Sequence, residues 1–257
     1  MPTYSHSKLS TFEQCPLKFK YRYIDFITPE FKETIECFLG KQVHNTLEWV
    51  YNRENREILN LDDIINHFIQ NWNQNFNPKI KIIKQELTAE HYFNKGIKSL
   101  INYFLSNTPF KDNTIATEKK IFFNLDPDGK YQLIGYIDRL VHNKETNIFE
   151  IHDYKTSNSM KSQGELDKDR QLALYSLAIR ELYQEASDVH LIWHFLEHNK
   201  KMISKRTTEQ LQQLKQEILN LIKKIELETE FHANLGILCN WCEFQTYCPY
   251  FENHSMS

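Results

Sequence analysis

Residues 135–139 read Gly-Tyr-Ile-Asp-Arg and residues 150–155 read Glu-Ile-His-Asp-Tyr-Lys, and these two stretches decide the fold. Both lie in apolar runs typical of β-strands, and the polar segment between them is short enough for a hairpin. Successive strand side chains point to opposite faces, so Asp153 and Lys155 point the same way. If Asp138 lies at the matching level of its strand, two carboxylates and one amine converge on one spot.

Such a group predicts a metal site. Hard divalent cations such as Mg²⁺ and Mn²⁺ prefer oxygen ligands of this kind. A lysine beside the ion can orient or deprotonate a water, or neutralise charge that builds up on a phosphate. The alternative is a salt bridge at a sheet edge. The apolar residues among 148–154 favour a strand covered on both faces, where a charge needs a partner or a metal.

Composition limits the class of protein. The 257 residues suit one elaborated domain or two small ones, and 40% hydrophobic with 25% charged residues indicates a globular core. The net charge of −3 means that nucleic-acid binding must rely on local basic patches. No apolar run reaches the length of a membrane span and the start does not resemble a signal peptide, so we expect a cytoplasmic protein.

The N-terminal segment predicts two short helices, the second beginning at Pro16. Basic and aromatic residues alternate along this second helix. Such a helix can hold a phosphate backbone or stack on bases, although an ordinary amphipathic helix would look the same. The candidate nucleic-acid-binding residues are Lys18, Lys20, Tyr21 and Arg22.

Helical periodicity follows at residues 34–53, 61–75 and 83–106. We interpret residues 34–110 as a helical insertion packed over the sheet. His44 lies inside the first of these helices, where a lone histidine is either a structural residue or a ligand.

The remainder alternates strand and helix patterns. A polar loop is predicted at residues 157–169. Strands are expected near residues 117–123, 189–196 and 201–206, and helices near residues 169–183 and 208–229.

Three cysteines close together near the C-terminus, Cys239, Cys242 and Cys248, indicate a metal site. A fourth ligand must be Cys15 or Cys37, and we choose Cys15 because it precedes a proline, as Cys248 does. Four thiolates bind either Zn²⁺ or an iron–sulfur cluster. Spacing alone favours zinc.

These pieces together resemble the RecB-like branch of the PD-(D/E)XK nuclease superfamily. In particular, the chain is similar to the cluster-bearing CRISPR-associated exonucleases and to the nuclease domain of AddB-type helicase–nucleases. The resemblance runs in order through residues 9–16, Gly40 with His44, residues 135–138, residues 153–155, Gln171 with Tyr175, and the closing cysteines.

The resemblance implies a restriction-endonuclease-like α/β fold, with a central mixed sheet flanked by helices in one domain over residues 1–257. Residues 230–257 with Cys15 would form a cluster subdomain. It implies His44, Asp138, Asp153 and the carbonyl of Tyr154 as ligands of Mg²⁺ or Mn²⁺, Lys155 as the catalytic lysine, and Gln171 and Tyr175 as active-site support. It also implies a [4Fe–4S] cluster on Cys15, Cys239, Cys242 and Cys248, which reverses the preference for zinc.

The expected function is an exonuclease on single-stranded DNA ends, in DNA repair, recombination or CRISPR adaptation, with possible protein partners and no membrane. The alternatives are a non-catalytic DNA-binding or assembly module and a zinc-stapled binding protein.

Overall fold

A mixed sheet of six strands forms the centre of residues 2–251, the part of the chain described by the computed structural model. The predicted α/β class with a mixed sheet flanked by helices is confirmed. The short first strand was not foreseen. The strands are β1 (Thr3–Ser5), β2 (Thr114–Asn124), β3 (Gln132–Asn143), β4 (Ile148–Lys155), β5 (Asp188–Phe195) and β6 (Lys200–Ser204).

Strand β3 is the hub of the sheet. It pairs antiparallel with β2 along one edge, and on the other with β1 in parallel and β4 antiparallel. Strand β5 then runs parallel to β4, and β6 closes the sheet antiparallel to β5. Strand β2 is therefore an edge strand.

Helices cover both faces of this sheet. No helix among the described residues is both long and apolar enough to cross a membrane. The helices are α1 (His6–Gln14), α2 (Pro16–Tyr23), α3 (Ile35–Tyr51), α4 (Leu61–Asn75), α5 (Ala89–Asn107), α6 (Gln163–Leu166), α7 (Arg170–Leu182) and α8 (Thr208–Leu227).

One helix boundary and one predicted loop differ from the sequence expectation. Helix α5 begins at Ala89 and not near residue 83, because the Thr88 hydroxyl caps it by accepting the N–H of His91. The predicted polar loop at residues 157–169 contains α6, which Ser162 and Glu165 start with a capping box.

Buried apolar side chains across residues 2–251 fall into two cores. One joins the sheet to α1, α2, α7 and α8. The other lies among α3, α4 and α5, and Tyr154 of β4 contributes to it. The predicted helical region 34–110 thus has a core of its own and still packs on the strand that carries Asp153. The single-domain assignment stays a prediction, and residues 252–257 of the predicted cluster region lie outside the described residues.

A buried polar network lies on the α3 and α5 side of the sheet. The guanidinium of Arg139, 1% exposed, donates to the Tyr154 hydroxyl at 2.9 Å and to His152 Nδ1 at 2.8 Å. His194 Nε2 lies 2.8 Å from His152 Nδ1. Burial lowers the pKa of both histidines well below the usual value, so they remain neutral and can accept or donate within the network. This network fixes β4 from the face opposite Lys155.

Gly96 gives a test of the packing between α4 and α5. A Cβ at this position would lie 2.3 Å from Cζ of the buried Phe68 and 3.0 Å from Cδ1 of Leu39. Gly96→Ala should therefore lower the free energy of unfolding by about 1–3 kcal/mol, despite alanine's better helix propensity. Urea unfolding measures this. Gly164→Ala in α6 is the matched control, because nothing lies within 4 Å of its added Cβ, and equal stabilities of the two variants would contradict the packing argument.

Candidate active site

The candidate site lies where β3 and β4 part. Their register pairs Arg139 with His152, which places Asp138 opposite Asp153 at the next step. Here the ladder changes, because the backbone N–H of Tyr154 donates to Asp138 Oδ2 at 2.9 Å. The strand period thus brings the two predicted carboxylates to one level, with Asp138 oriented by the backbone of β4.

Helix α3 brings His44 to the same place. Its Nε2 donates to the carbonyl of Tyr154 at 2.8 Å, since a carbonyl can only accept. Its Nδ1 then faces Asp138 Oδ2 at 3.5 Å. In this arrangement the Tyr154 carbonyl orients the imidazole, as an outer partner commonly does for a metal-binding histidine. The ligand roles predicted for His44 and for the Tyr154 carbonyl stay predictions.

Sequence reasoning missed Glu118, which joins this group from β2. Ligand atoms of Glu118, His44 and Asp138 all lie within 4.8 Å of one another. Glu118 has φ of 43°, an unusual conformation for a non-glycine residue that costs roughly 1–3 kcal/mol and is found at functional sites. The pairing of Thr117 with Arg139 could have revealed it, but only once the β2–β3 register was known.

Asp153 and Lys155 form a pair beside this group. The Lys155 ammonium lies 2.9 Å from Asp153 Oδ1 and 2.7 Å from Oδ2, and it donates to Gln171 Oε1 at 3.2 Å. Apart from this ion pair with Lys155, Asp153 Oδ2 is buried and has no hydrogen-bond partner. The Asp153 carboxylate fits a divalent ion as a ligand, and so does the carboxylate and imidazole set at Asp138.

The electrostatics of the site follow from burial. Burial raises the pKa of Asp138 to about 7, with a further contribution from Asp153, while His44 opposes the shift. Burial and Glu48 raise the pKa of Glu118, again against His44. Burial alone would lower the pKa of Lys155, but Asp153 and Asp138 raise it above its usual value. Lys155 is therefore a cation, suited to a phosphate oxygen or a water and not to removing a proton.

Helix α7 supports the lysine. Asp169 caps this helix by accepting the N–H of Gln171, which places the Gln171 amide beside Lys155. One turn on, the ring of Tyr175 lies against Gly135, where an added Cβ would stand 2.2 Å from the ring. Both predicted support residues are thus next to the two motif strands.

His6 is a second residue that sequence reasoning missed. It lies at the start of α1, and its buried Nδ1 has no hydrogen-bond partner. Burial lowers its pKa, as do the nearby charges of Arg170 and Lys155. His6 therefore borders the site on the lysine side.

The basic helix α2 has partners within the protein. Lys18 pairs with Glu243 at 3.1 Å, Arg22 pairs with the same carboxylate, and Lys20 pairs with Asp25. The structure therefore holds α2 against the C-terminal segment, to which Tyr21 also donates a hydrogen bond, at the Tyr247 carbonyl. A nucleic-acid contact of these residues stays a prediction.

The four predicted cluster cysteines line one cavity of about 330 Å³. Cys15 reaches it from the junction of α1 and α2, and Cys239, Cys242 and Cys248 reach it from the C-terminal segment. Cys37 is exposed on α3. The structure thus brings together the four residues chosen from the sequence.

Comparison with known proteins identifies one family. The sequence model of the PD-(D/E)XK nuclease superfamily matches residues 3–249. No curated protein matches the chain at a significant level. Among solved structures, a candidate exonuclease from Eubacterium rectale has a TM-score of 0.51 at 13% identity, over 93% of this chain and 86% of its own. The protein SSO0001 has a TM-score of 0.42 at 18% identity, over 83% of this chain and 95% of its own. At such identities the likeness concerns the fold alone.

The raised pKa of Asp138 predicts a pH dependence of stability. Between its usual value of 3.8 and about 7, the folded chain holds a proton that the unfolded chain releases. This contribution is fully present below pH 3.8 and is lost as the pH rises through 7. In EDTA, Asp138→Asn should therefore gain stability relative to the wild type between pH 5 and pH 8, as measured by urea unfolding. A difference between the two proteins that does not change with pH would contradict the assignment.

Proposed function

The chain belongs to the PD-(D/E)XK nuclease superfamily, and from this premise we propose that it is a divalent-metal-dependent exonuclease that hydrolyses single-stranded DNA from its ends. The observation that carries the proposal is the site itself. His44, Glu118 and Asp138 stand together beside the Asp153–Lys155 pair, at the point where β3 and β4 part.

In the proposed mechanism, Asp138, Asp153 and His44 would hold Mg²⁺ or Mn²⁺, with Glu118 as a further acidic ligand. When bound, the ion would supply Lewis-acid activation of the scissile phosphate and would lower the pKa of a bound water. The buried Asp153 carboxylate, whose Oδ2 has no partner other than the Lys155 ammonium, supports this ligand assignment. The Tyr154 N–H and carbonyl orient Asp138 and His44 respectively.

Lys155 acts on the phosphate as a positive charge. Asp153 and Gln171 hold its ammonium beside the set of metal-ligand candidates formed by His44, Glu118 and Asp138. From there it can donate to a non-bridging phosphate oxygen as negative charge accumulates, or orient the attacking water. Gln171 restricts its position, and Tyr175 packs against Gly135 on the strand that carries Asp138. One phosphodiester bond is broken for each water consumed.

We further propose that the chain is of the RecB-like, cluster-bearing type, with a [4Fe–4S] cluster on the four cysteines. All four cysteines line one cavity of about 330 Å³, which has room for a group larger than a single ion and supports the cluster that the resemblance implies. Its role would be structural, because hydrolysis moves no electrons.

The biological setting follows from the resemblance. We propose a cytoplasmic role in DNA repair, recombination or CRISPR adaptation, in company with partner proteins.

The side chains of Lys20 and Arg22 are 37% and 40% exposed and remain candidates for contacts to phosphate beyond the active site.

A nuclease assay tests the catalytic assignment. Asp138→Ala and Asp153→Ala should each lower cleavage by at least about a hundredfold, because each removes a metal ligand. Lys155→Ala should lose activity to a similar extent but still bind Mn²⁺ in calorimetry. The exposed Asp128→Asn is the control and should cleave normally. The wild type should degrade end-labelled linear DNA and leave circular single strands intact.

Two outcomes would contradict this function. Cleavage of circular DNA at the same rate would show an endonuclease. DNA binding without cleavage in Mg²⁺ or Mn²⁺ would show a non-catalytic module.

The cysteine variants test the cluster. Cys15→Ser should abolish bound iron and sulfide and lower Tm by at least about 5 °C, because the cluster links α1 and α2 to the C-terminal segment and its binding is coupled to folding. Cys37→Ser is the matched control and should change neither. Metal analysis of anaerobically purified protein, absorbance near 400 nm and a thermal melt are the measurements. Zinc in place of iron, or loss of the metal in Cys37→Ser alone, would overturn the assignment.

A further inference from the structure

Two large aromatic side chains are exposed on the hairpin that carries the active site. Phe122 of β2 is 66% exposed and Tyr136 of β3 is 50% exposed. Among residues 2–251, neither ring packs against another aromatic ring. Exposed rings add little buried apolar area to the core, and neighbouring exposed apolar side chains mark interaction sites.

Both rings lie on the side of the hairpin that leads into the site. Lys120 pairs with Tyr136 and Phe122 pairs with Ile134 across the two strands, and cross-strand partners share a face. Side chains alternate along β3, so Tyr136 lies on the same face as Asp138, two residues before it and about 6.8 Å away. Lys120 lies on this face because it pairs with Tyr136, Phe122 shares the face by alternation, and Glu118 lies beside Asp138.

The hairpin beneath the rings is rigid. The alternate residues of both strands, Ile121, Phe123, Leu133 and Ile137, are at most 5% exposed and belong to the main core. Gly135 packs directly under Tyr175 of α7. A surface held this firmly loses little conformational entropy when a ligand binds.

We propose that Phe122 and Tyr136 form a stacking platform for the bases of single-stranded DNA next to the scissile phosphate. This inference rests on the proposed nuclease function and adds the surface that selects unpaired strands. Exposed bases stack on aromatic rings, whereas base faces in a duplex are already covered. Stacked bases are spaced by about 3.4 Å, so Tyr136 lies about two base steps from the carboxylates.

Charge on the same face fits a nucleic-acid backbone. Lys120 lies directly opposite Tyr136 and two residues before Phe122 on the same face. It is exposed, and within the described part of the chain it takes part in no ion pair. Its ammonium can therefore contact a phosphate of the strand whose bases lie on the rings. Aromatic and basic side chains in alternation are the usual components of a single-strand binding surface.

A second copy of the chain is the competing occupant, because β2 is an edge strand. Edge pairing is disfavoured here by an irregularity of register between Thr114 and Ala116 and by the left-handed conformation of Glu118. Lysines at positions 119 and 120 of the same strand also oppose it. The observations therefore favour nucleic acid.

Equilibrium binding of a fluorescent oligothymidylate in EDTA, where no cleavage occurs, tests the platform. Phe122→Leu and Tyr136→Leu keep apolar bulk and remove the ring, and each should raise Kd about five- to a hundredfold. Tyr136→Phe keeps the ring and should bind like the wild type. An abasic oligonucleotide of equal length should bind the wild type and both leucine variants equally, because no base remains to stack.

Lys120→Gln separates the phosphate contact from stacking. It should weaken binding of the abasic and base-bearing oligonucleotides equally. It should also reduce the slope of log affinity against log salt by about 0.7, the value for one charge on a single strand.

The platform is overturned if the leucine variants bind oligothymidylate like the wild type, if the wild type shows no measurable affinity, or if sedimentation shows a wild-type dimer that the leucine variants dissociate. Cleavage in Mn²⁺ is scored separately. A wild type that binds in this ring-dependent way but never cleaves would refute the nuclease proposal and leave the platform standing. A wild type that cleaves without ring dependence would do the reverse.

Discussion

The register of β3 and β4 places Asp138 opposite Asp153, with the Asp138 side chain 13% exposed and the Asp153 side chain 5% exposed. Two carboxylates at one level with so little exposure repel each other and lose much of their hydration, so the surrounding structure must compensate. The Lys155 ammonium does so for Asp153, and the Tyr154 N–H and the His44 ring do so for Asp138. These contacts do not fully offset the burial of Asp138, and the pKa of its carboxyl group is therefore raised.

The rest of the fold supplies these groups and holds them still. Helix α3, which packs in the second core, carries His44. Strand β2 carries Glu118, whose own backbone is left-handed. On the face of β4 opposite Lys155, Arg139 donates a hydrogen bond to the Tyr154 hydroxyl. The backbone of Tyr154 contacts both Asp138 and His44. The same short segment of β4 therefore contributes both to the buried polar network and to the candidate site.

Much of this was predictable from short-range patterns. The period of two in β3 and β4 placed Asp138, Asp153 and Lys155 correctly relative to the sheet, and periodicity found most of the helices. The position of Glu118 depends on strand register and on an unusual φ, and neither is encoded in local alternation. Lys18 and Arg22 of α2 pair with Glu243, more than 200 residues away, so local sequence alone could not show that these two charges have partners within the protein. The start of α5 was missed because the Thr88 cap overrides the apolar residues before it.

If the carboxylates of β3 and β4 form a divalent-metal site, anomalous diffraction from crystals soaked in Mn²⁺ should locate the ion. We expect an ion within about 2.5 Å of oxygens from both Asp138 and Asp153, with His44 in its coordination sphere and Glu118 beside it. A manganese peak that does not touch Asp138, or no peak at saturating Mn²⁺, would contradict it.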